Sequence, residues 1–461
     1  MPETPREQLK NGQQRRKTMP RMDHATWDAK LRKRDPLELM AASMHGRVPK
    51  LVAVKYERMA ASPFGFFRGA VPVMAYDLSL LKTPGISAQL CGDAHIRNLG
   101  AYAGPDGKLV FDINDFDETV MGPFEWDVKR MATSMVVAGR GAKLRDTGCR
   151  EAVLVFLEQY RETMLRLSRM PVLEMARYQV RRLRSVATVN GILRMAERST
   201  PQHTLDQLTE IVSAAKGTEK KRVFKTSPVL MRVTGAMAKK VIAALTEYTK
   251  TLQPERRVFL EQYRPLDVAF KVVGTGSVGL RDYCIYMEGN GAGDPLFMQI
   301  KEEPLSGYAP YQGKVQGLSV DAKQHQGQRV VNGERAMQLQ SDPMLGWATL
   351  EGRQYLVRQL NDYKASISLA DLDAEELTEY AEVCGELLAR GHARSGACME
   401  IAGYIGRTAR FDNAIAQFAI AYANQTETDW KALTAWWKKK SGHRTKAAAR
   451  AAKKAVAADR H

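Results

Sequence analysis

The sequence predicts an α+β fold with a mostly helical large lobe and a small antiparallel β lobe. Three observations predict it. Apolar residues recur at three- and four-residue intervals from about Glu125 to Tyr263, which is the helical period. Strand-like runs replace this pattern from residue 267, and helical periodicity returns from Leu372 onward. The chain is therefore expected to insert a β-rich unit between two parts of one helical body.

The elements follow in order along the chain. Two short strands are predicted at "ISAQLCGD" and "KLVFDIND", with the turn signal "AGPDG" between them. The polar, basic stretch near 215–226 predicts an exposed loop within the helical part. The expected segments are a basic leader (1–50), the catalytic-loop half with the helical lobe (51–265), a nucleotide-covering β lobe (266–365), helices that rejoin the helical lobe (366–437) and a basic tail that is disordered or loosely helical (438–461).

The net charge of +18 lies mostly at the two ends of the chain. Residues 1–35 contribute +5 and residues 438–461 contribute +8, which leaves about +5 for the body. The basic tails could contact a polyanion such as nucleic acid, or they could simply keep the protein soluble. We favour the solubilising role, because no nucleic-acid-binding motif accompanies the charge.

The composition also indicates the cellular compartment. The sequence contains no run of eighteen apolar residues, which a membrane span would need, and the N-terminus has no apolar secretory segment. The five cysteines are scattered, without a CxxC pair, which fits free thiols better than disulfides or a zinc site. We therefore expect a cytoplasmic protein that does not bind a membrane.

A glycine-rich turn is the first candidate for ligand binding. In "GTGSVG", Gly274, Gly276 and Gly279 form a GxGxxG pattern around Ser277, between two strand-like runs. Such glycines let backbone N–H groups approach phosphate oxygens, although a plain tight hairpin would also explain them. A dinucleotide-binding fold would need a helix directly after the glycines, and "LRDYCIYMEG" is strand-like instead. The pattern therefore favours a kinase-type hairpin that covers nucleotide phosphates.

A kinase-type hairpin predicts a phosphate-binding lysine one strand later. Lys301 ends the apolar strand "LFMQIKEE" and is the natural candidate. Its partner acid would lie on the next helix, where Glu334 is the first choice. Glu302, Glu303 or another acid could take that role instead.

The remaining parts of a phosphoryl-transfer site occur about 180 residues earlier. Asp93 and Asn98 are five residues apart, the separation in the kinase catalytic loop. Asp115 follows after a turn at the end of a strand-like run, where a metal-binding Asp is expected, and Asp117 is a further candidate metal ligand. His95 lies inside the same loop and is a candidate to assist Asp93, although a single histidine is more often a satisfied core residue.

These segments resemble a known group of enzymes. "CGDAHIRN" resembles the H-G-D-x-H-x-x-N loop of aminoglycoside phosphotransferases and choline-kinase-like enzymes, and "INDFDETVMGPFEWDVKRMA" resembles their metal-binding segment. The resemblance implies that Asp93 is the catalytic acid–base residue and that Asn98 and Asp115 bind Mg²⁺. It also implies that Asp127 braces the loop. Cys91 stands where the first histidine of that loop is usual.

The whole chain also resembles a bacterial family of uncharacterised proteins, the domain-of-unknown-function family 2252 (DUF2252). The shared segments are "SPFGFFRGA", "CGDAH", "DINDFDET", "GPFEWDVKR", "KVVGTGSVG", "RQL" and "LARGHARSG". They cover most of residues 50–425. The resemblance implies kinship with kinase-like proteins and gives no established substrate.

The order of the motifs is reversed relative to kinases, in which the glycine loop and lysine come first. We therefore expect a circularly permuted, protein-kinase-like two-lobe fold, because chemistry requires only that the parts meet in space. The expected function is ATP- and Mg²⁺-dependent phosphotransfer to the hydroxyl group of an unknown, small acceptor molecule. Arg68, His392 and Arg394 are further candidates to line the cleft.

Three alternatives remain open. The enzyme could transfer AMP instead of phosphate, which the sequence does not separate from phosphotransfer. The protein could be a nucleotide-binding pseudokinase or scaffold that uses its basic tails, although the full set of candidate residues argues against this. A metal-dependent hydrolase could use Asp93, His95, Asp115 and Asp117, but it would leave the glycine turn and Lys301 unexplained.

Overall fold

The fold places helices and antiparallel strands around a cleft, as a computed structural model of the chain shows. The structure describes residues 3–180, 182–213, 220–272, 274–313, 323–360, 365–369 and 372–458. The first five helices are α1 (Pro5–Thr18), α2 (Pro36–Ala42), α3 (Pro49–Ala60), α4 (Pro63–Gly69) and α5 (Val71–Leu78). Each has a proline at its first or second position, where the missing N–H costs no hydrogen bond.

Two short antiparallel strand pairs hold the acidic segments. The strands are β1 (Ser87–Leu90), β2 (Leu99–Ala103), β3 (Leu109–Ile113) and β4 (Val120–Pro123). β1 pairs with β4 and β2 pairs with β3. This confirms both predicted strands in this part of the chain. The loops 91–98 and 114–119 lie side by side, since the Asn114 N–H donates to the Asn98 carbonyl at 3.1 Å.

The next helices form the centre of the helical body. They are α6 (Phe124–Gly141), α7 (Asp146–Leu167), α8 (Val172–Ala176), α9 (Ala187–Glu197) and α10 (Pro201–Leu208). Almost every side chain of α6 is buried, including its charged ones. The helical periodicity near residues 126–140 and 150–167 is thus confirmed.

Strands interrupt the region that the sequence predicted to be helical up to Tyr263. They are β5 (Thr209–Ser213), β6 (Lys220–Phe224) and β7 (Leu230–Val233). The predicted loop near 215–226 is wrong for residues 220–224, which form β6, while residues 214–219 lie outside the described ranges. Pairing partners explain the difference, because β5 and β6 pair with each other and β7 pairs with a strand of the main sheet.

The main sheet has six antiparallel strands in the order β11-β12-β10-β9-β8-β7. The new strands are β8 (Arg264–Lys271), β9 (Asp282–Glu288), β10 (Pro295–Glu302), β11 (Gly346–Leu350) and β12 (Arg353–Gln359). The helices of this part are α11 (Gly235–Thr251), α12 (Pro254–Leu260), α13 (Ala309–Gln312) and α14 (Gln326–Met337). The predicted strands from residue 267 onward, and the helix candidate at 328–340, are confirmed.

The two faces of the sheet carry different residues of β10. Met298 and Ile300 pack in an apolar cluster with residues of α11 and α12. Phe297 packs on the other face with Leu205 of α10. Because side chains alternate along a strand, Lys301 shares the face of Phe297. That face borders the cleft.

The C-terminal helices belong to the same core as the helical body. They are α15 (Ala374–His392), α16 (Cys398–Ile405) and α17 (Arg410–Ala458). α15 packs along α7, and α17 packs along α6. A single core cluster contains buried residues from α4 to α7 and from α15 to α17.

The N-terminal leader is docked on this core. α1 packs so closely on α16 that a side-chain Cβ at Gly12 would lie 2.0 Å from the Glu400 carbonyl oxygen. The Arg16 Nε donates to the Tyr404 carbonyl oxygen at 2.8 Å. The leader thus contributes to the core although most of its residues are polar.

The basic tail is helical as far as the structure describes it, which is one of the two expected alternatives. Helix α17 continues through Ala458, into the segment rich in Ala and Lys. Both residues are strong helix formers, which explains the extension. Among the described helices, none combines the length and the apolar composition that crossing a bilayer requires.

Candidate active site

The loop that carries Asp93 is held by a buried carboxylate. Asp127, at the start of α6, accepts hydrogen bonds from the backbone N–H of Cys91 at 2.8 Å and of Gly92 at 3.0 Å. Gly92 has a φ of +84°, and a Cβ there would lie 2.1 Å from the Glu118 carbonyl oxygen. Only glycine fits this turn. Asp127 therefore braces the loop, as the resemblance implied.

Asp93 points into the cleft and is oriented by an arginine. Arg130 lies one turn after Asp127 on α6 and donates its Nε to Asp93 Oδ1 at 2.7 Å. The Arg130 side chain is fully buried, and its guanidinium lies 4.3 Å from the ring centre of Phe67. One fifth of the Asp93 side chain remains exposed, so a ligand can reach it.

His95 is a neutral neighbour of Asp93. Burial lowers its pKa to about 3. Its Nδ1 accepts the backbone N–H of Arg97 at 3.1 Å, and its Nε2 accepts the Nε–H of Arg68 at 3.2 Å. The Nε2 atom also lies 3.6 Å from Asp93 Oδ2. His95 therefore holds Arg68 beside Asp93 and, because its pKa is low, is not itself poised to exchange protons near neutral pH.

Asn98 ties the two acidic loops together. Its Nδ2 donates to the carbonyl oxygens of Asp93 and Asp115, both at 2.9 Å, and its Oδ1 accepts the Asp115 N–H at 2.9 Å. Asn98 is only 1% exposed and is not among the residues that line the cleft. The structure thus gives it a bracing role, and metal binding by Asn98 stays a prediction.

Asp115, Asp117 and Lys301 form one charged cluster. Lys301 is ion-paired with Asp117, and its Nζ lies 3.6 Å from Asp115 Oδ1. Burial alone would lower the pKa of Lys301, but the two carboxylates outweigh it and raise that pKa. Burial and the charge of Asp115 raise the pKa of Asp117. The side chain of Asp115 is 43% exposed and faces the cleft.

The glycine-rich turn closes over this cluster. The Ser277 hydroxyl donates to Asp117 Oδ2 at 2.8 Å, and the N–H groups of Ser277 and Val278 both donate to the Gly274 carbonyl at 3.1 Å. Lys55 donates to the Gly276 carbonyl. Gly279 adopts a φ of +90°, which lets the chain turn into β9. Residues far apart in sequence thus meet at one place.

The expected partner acid of Lys301 lies elsewhere. Glu334 is 4% exposed, burial raises its pKa to about 7, and the positive charge of Arg358 on β12 opposes this rise most strongly. Glu302 is on the other face of β10 and pairs with Arg281 and Arg353. The actual partner is Asp117. Its loop was predicted to belong to a different lobe from Lys301, so the sequence did not indicate that the two residues pair.

Two other predicted residues also lie outside the cleft. His392 is fully buried behind the loop, with Nε2 3.4 Å from Asp127 Oδ2 and Nδ1 2.8 Å from the Tyr160 hydroxyl. Arg394 donates to the carbonyl oxygens of Ala336 and Ala176. Both residues are structural in this arrangement, whereas Arg68 does line the cleft.

The cleft has a volume of about 620 Å³ and is strongly charged. Its lining contains seven lysine and arginine residues against four carboxylates, an excess of three positive charges. The cations are Arg47, Lys55, Arg58, Arg68, Lys271, Lys301 and Arg358, and the acids are Asp93, Asp115, Asp117 and Glu118. Such a lining suits an anionic ligand.

Part of the cleft lining is uncharged. It includes Leu208 of α10, Val272 and Leu360, together with His203 and Gln207. This mixture of apolar surface and a few polar groups is typical of a pocket for a small organic group. These residues were not predicted from the sequence, because α10 carries no recognisable motif.

The carboxylates of the cleft could bind Mg²⁺ only together with a ligand. Among the described residues, no group of three or more His, Cys, Asp or Glu side chains is arranged to hold a metal ion alone. Mg²⁺ at phosphoryl-transfer sites usually takes one or two carboxylates and completes its shell with substrate phosphates and water. Asp115 and Asp117 lie close enough to contact one cation, the Lys301 ammonium. They therefore fit a site in which two carboxylates bind Mg²⁺ and a substrate supplies the other ligands.

Comparison with known proteins gives one match. A family model described as "Uncharacterized protein conserved in bacteria (DUF2252)" matches residues 47–436. No curated protein and no solved structure matches the chain.

Proposed function

The chain belongs to the DUF2252 family, and we propose that it is an ATP- and Mg²⁺-dependent phosphotransferase acting on a hydroxyl group of a small molecule. One observation carries the proposal. Asp117 comes before the long middle segment of the chain, and Lys301 and the glycine-rich turn come after it. Both nevertheless contact Asp117. Asp93 and Asp115 line the same cleft.

The order of elements around the turn supports a kinase-like architecture. β8, the glycine turn, β9, β10 with Lys301, α14, β11 and β12 follow one another along the chain. A glycine loop, a lysine on the third strand and a following helix form the nucleotide-covering part of protein kinases. Since the acidic loops precede this unit, we infer a circularly permuted version of that architecture.

In this proposal each residue has a role. Lys301 and the turn around Gly276 would hold the nucleotide phosphates, and Asp115 and Asp117 would hold Mg²⁺. Bound Mg²⁺ would neutralise charge on the phosphates. Asp93, oriented by Arg130 and beside His95, would accept the proton of the acceptor hydroxyl. Most of the acceleration would come from positioning and electrostatics, because the transition state of phosphoryl transfer is loose.

A thermal-shift titration tests nucleotide binding. A ligand at 100 times its Kd stabilises the folded state by about 2.7 kcal/mol, so ATP with Mg²⁺ is expected to raise the melting temperature of the wild type. Asp115→Asn should remove the part of the shift that requires Mg²⁺. Asp106→Asn, an exposed change of the same charge in the turn before β3, should leave the shift intact. A wild type that melts at the same temperature with and without ATP contradicts the proposal.

Labelled ATP separates phosphate from AMP transfer. Label in the γ-phosphate should reach the acceptor or be released in a reaction that Asp93→Asn abolishes. Transfer of label from the α-phosphate would instead assign the nucleotidyl reaction.

A further inference from the structure

Four of the seven cations in the cleft come from one short part of the chain. Arg47, Lys55, Arg58 and Arg68 lie on α3 and α4 or just before them. This segment precedes the acidic loops and is separate from the strand that carries Lys301. These residues therefore form a second positive wall, which we name the α3–α4 wall.

The α3–α4 wall lies beside Asp93. The Arg68 Nε is 3.2 Å from His95 Nε2, and that nitrogen is 3.6 Å from Asp93 Oδ2. A Cβ at Gly274 would lie 3.6 Å from an Nη of Arg68. Arg68 thus lies between the Asp93 loop and the glycine turn, at the place where an acceptor hydroxyl would meet a phosphate.

Three of the four basic residues of the wall bond to neutral groups. Within the described part of the chain, Arg47, Lys55 and Arg68 make no ion pair with a carboxylate. Arg47 donates to the carbonyl oxygens of Ser43 and Val278, and Lys55 donates to that of Gly276. Lys55 is only 2% exposed, and burial lowers its pKa well below the ordinary value.

Three buried arginines of this chain pair with carboxylates instead. Arg130 pairs with Asp93, Arg161 with Asp412, and Arg390 with Asp112. A cation that is partly removed from water without a counter-charge is costly, and the cost falls when an anion binds. Arg47 and Arg68 are half-buried and have no such carboxylate partner among the described residues, so they are placed to receive negative charge from a ligand.

Not all of the basic residues in the cleft lie where the nucleotide is proposed to bind. Lys301 and Arg358 lie with Asp115 and Asp117 on the sheet side, where the proposed nucleotide site is. The cations beside Asp93 remain for a second ligand.

We propose that the acceptor itself is an anion, a hydroxyl compound that carries a phosphate or carboxylate group. This inference rests on the proposed function. Arg68, with Arg58, would hold the anionic group and so direct the hydroxyl to Asp93. A cationic acceptor such as choline or an aminoglycoside would be repelled by this wall.

The first test uses inorganic phosphate as the probe. Wild type saturated with Mg²⁺ and a non-hydrolysable ATP analogue should still bind phosphate, measured by calorimetry. Arg68→Gln and Arg58→Gln should each weaken phosphate binding about tenfold or more, as expected for loss of a charge-assisted hydrogen bond, and leave analogue binding within about twofold. Lys50→Gln, an exposed change on α3, should alter neither.

The outcomes separate the two proposals. If the analogue displaces phosphate from wild type, the wall serves the nucleotide and the inference is overturned. Equal phosphate affinity in Arg68→Gln and Lys50→Gln also overturns it. If wild type binds phosphate but not the analogue, the nucleotide proposal fails while the anion site stands.

A second test uses labelled ATP with paired acceptors. Sugar phosphates and hydroxy acids should accept label better than the matching neutral sugars and alcohols. Arg68→Gln should raise KM for the charged acceptor and leave KM for ATP unchanged. Preference for the neutral member of each pair would overturn the inference.

Discussion

Lys301 and Glu334 show how neighbouring charges decide the state of a buried residue. Lys301 is buried but has two carboxylates beside it, which keep it charged. Glu334 is equally buried and lacks comparable compensation, so burial raises its pKa to about 7. The first residue can bind phosphate at neutral pH. The second makes the stability of the protein depend on pH.

Glu334→Gln is expected to flatten the pH dependence of stability. The folded state holds the Glu334 proton more tightly than the unfolded state, whose pKa is near 4.5. Stability is therefore highest at and below pH 4.5 for this group and falls as the pH rises to about 7. The loss is about 3 kcal/mol. Urea unfolding at several pH values measures it.

The glutamine variant should equal the wild type at low pH and exceed it at pH 8. Glu261→Gln, at an exposed position, serves as the control and should follow the wild type throughout. Asp282, whose pKa burial raises to about 6, contributes to the same pH window, so some slope will remain. A variant that loses stability as steeply as the wild type would disprove this role of Glu334.

Individual site residues could be predicted where a local motif marks them. Spacing identified Asp93 and Asp115, and the strand after the glycine turn identified Lys301. Arg130 left only a weak signal, its position one helical turn after Asp127. Lys55 and Arg358 left none, because each lies in an ordinary helix or strand and also contacts residues more than 200 positions away.

At the scale of elements, two turn glycines offer a matched comparison. Gly92 and Gly107 both have positive φ angles, but only Gly92 is packed against other atoms. Gly107→Ala should cost about 1 kcal/mol, the cost of the backbone conformation. Gly92→Ala should cost about 3 kcal/mol or more, because the new methyl group collides with the Glu118 carbonyl.

The urea midpoints of the two variants check this prediction. Gly92→Ala should also reduce activity more than stability alone explains, since Asp93 is the next residue. Similar midpoints for the two variants would show that the loop can move away from Glu118, contrary to the packing described.

Elements with clear periodicity could be predicted, and elements made by pairing could not. α6 and α7 bury wide apolar faces, and β8 to β10 are short apolar runs separated by glycine turns, so the sequence marks each of them. β5 and β6 are polar and largely exposed, and they are strands because they pair with each other. Their stability depends on a partner that local periodicity does not reveal.

At the scale of the molecule, Arg32 joins the leader to both ends of the core. It donates to Asp77 on α5 and to Asp429 on α17, and the side chains of both acids are almost fully buried. Arg32→Met would leave both carboxylates without their main partner. The expected cost is about 3–5 kcal/mol in the free energy of unfolding.

Lys10→Met provides the control for Arg32→Met. Lys10 lies exposed on α1, and its loss should change the unfolding free energy by no more than about 0.5 kcal/mol. Equal urea midpoints for the two variants would mean that the leader is attached without contributing to stability.

The contact between Lys301 and Asp117 also affects when the cleft can form during protein synthesis. The two residues are 184 positions apart, whereas Arg130 reaches Asp93 over only 37. At about 5–20 residues per second, a ribosome makes the acidic loops on the order of ten seconds or more before Lys301. A nascent chain can therefore assemble the Asp93 loop early but leaves it uncovered. The cleft closes only after most of the polypeptide has been synthesised, so a truncated translation product would display these acids without the means to enclose a ligand.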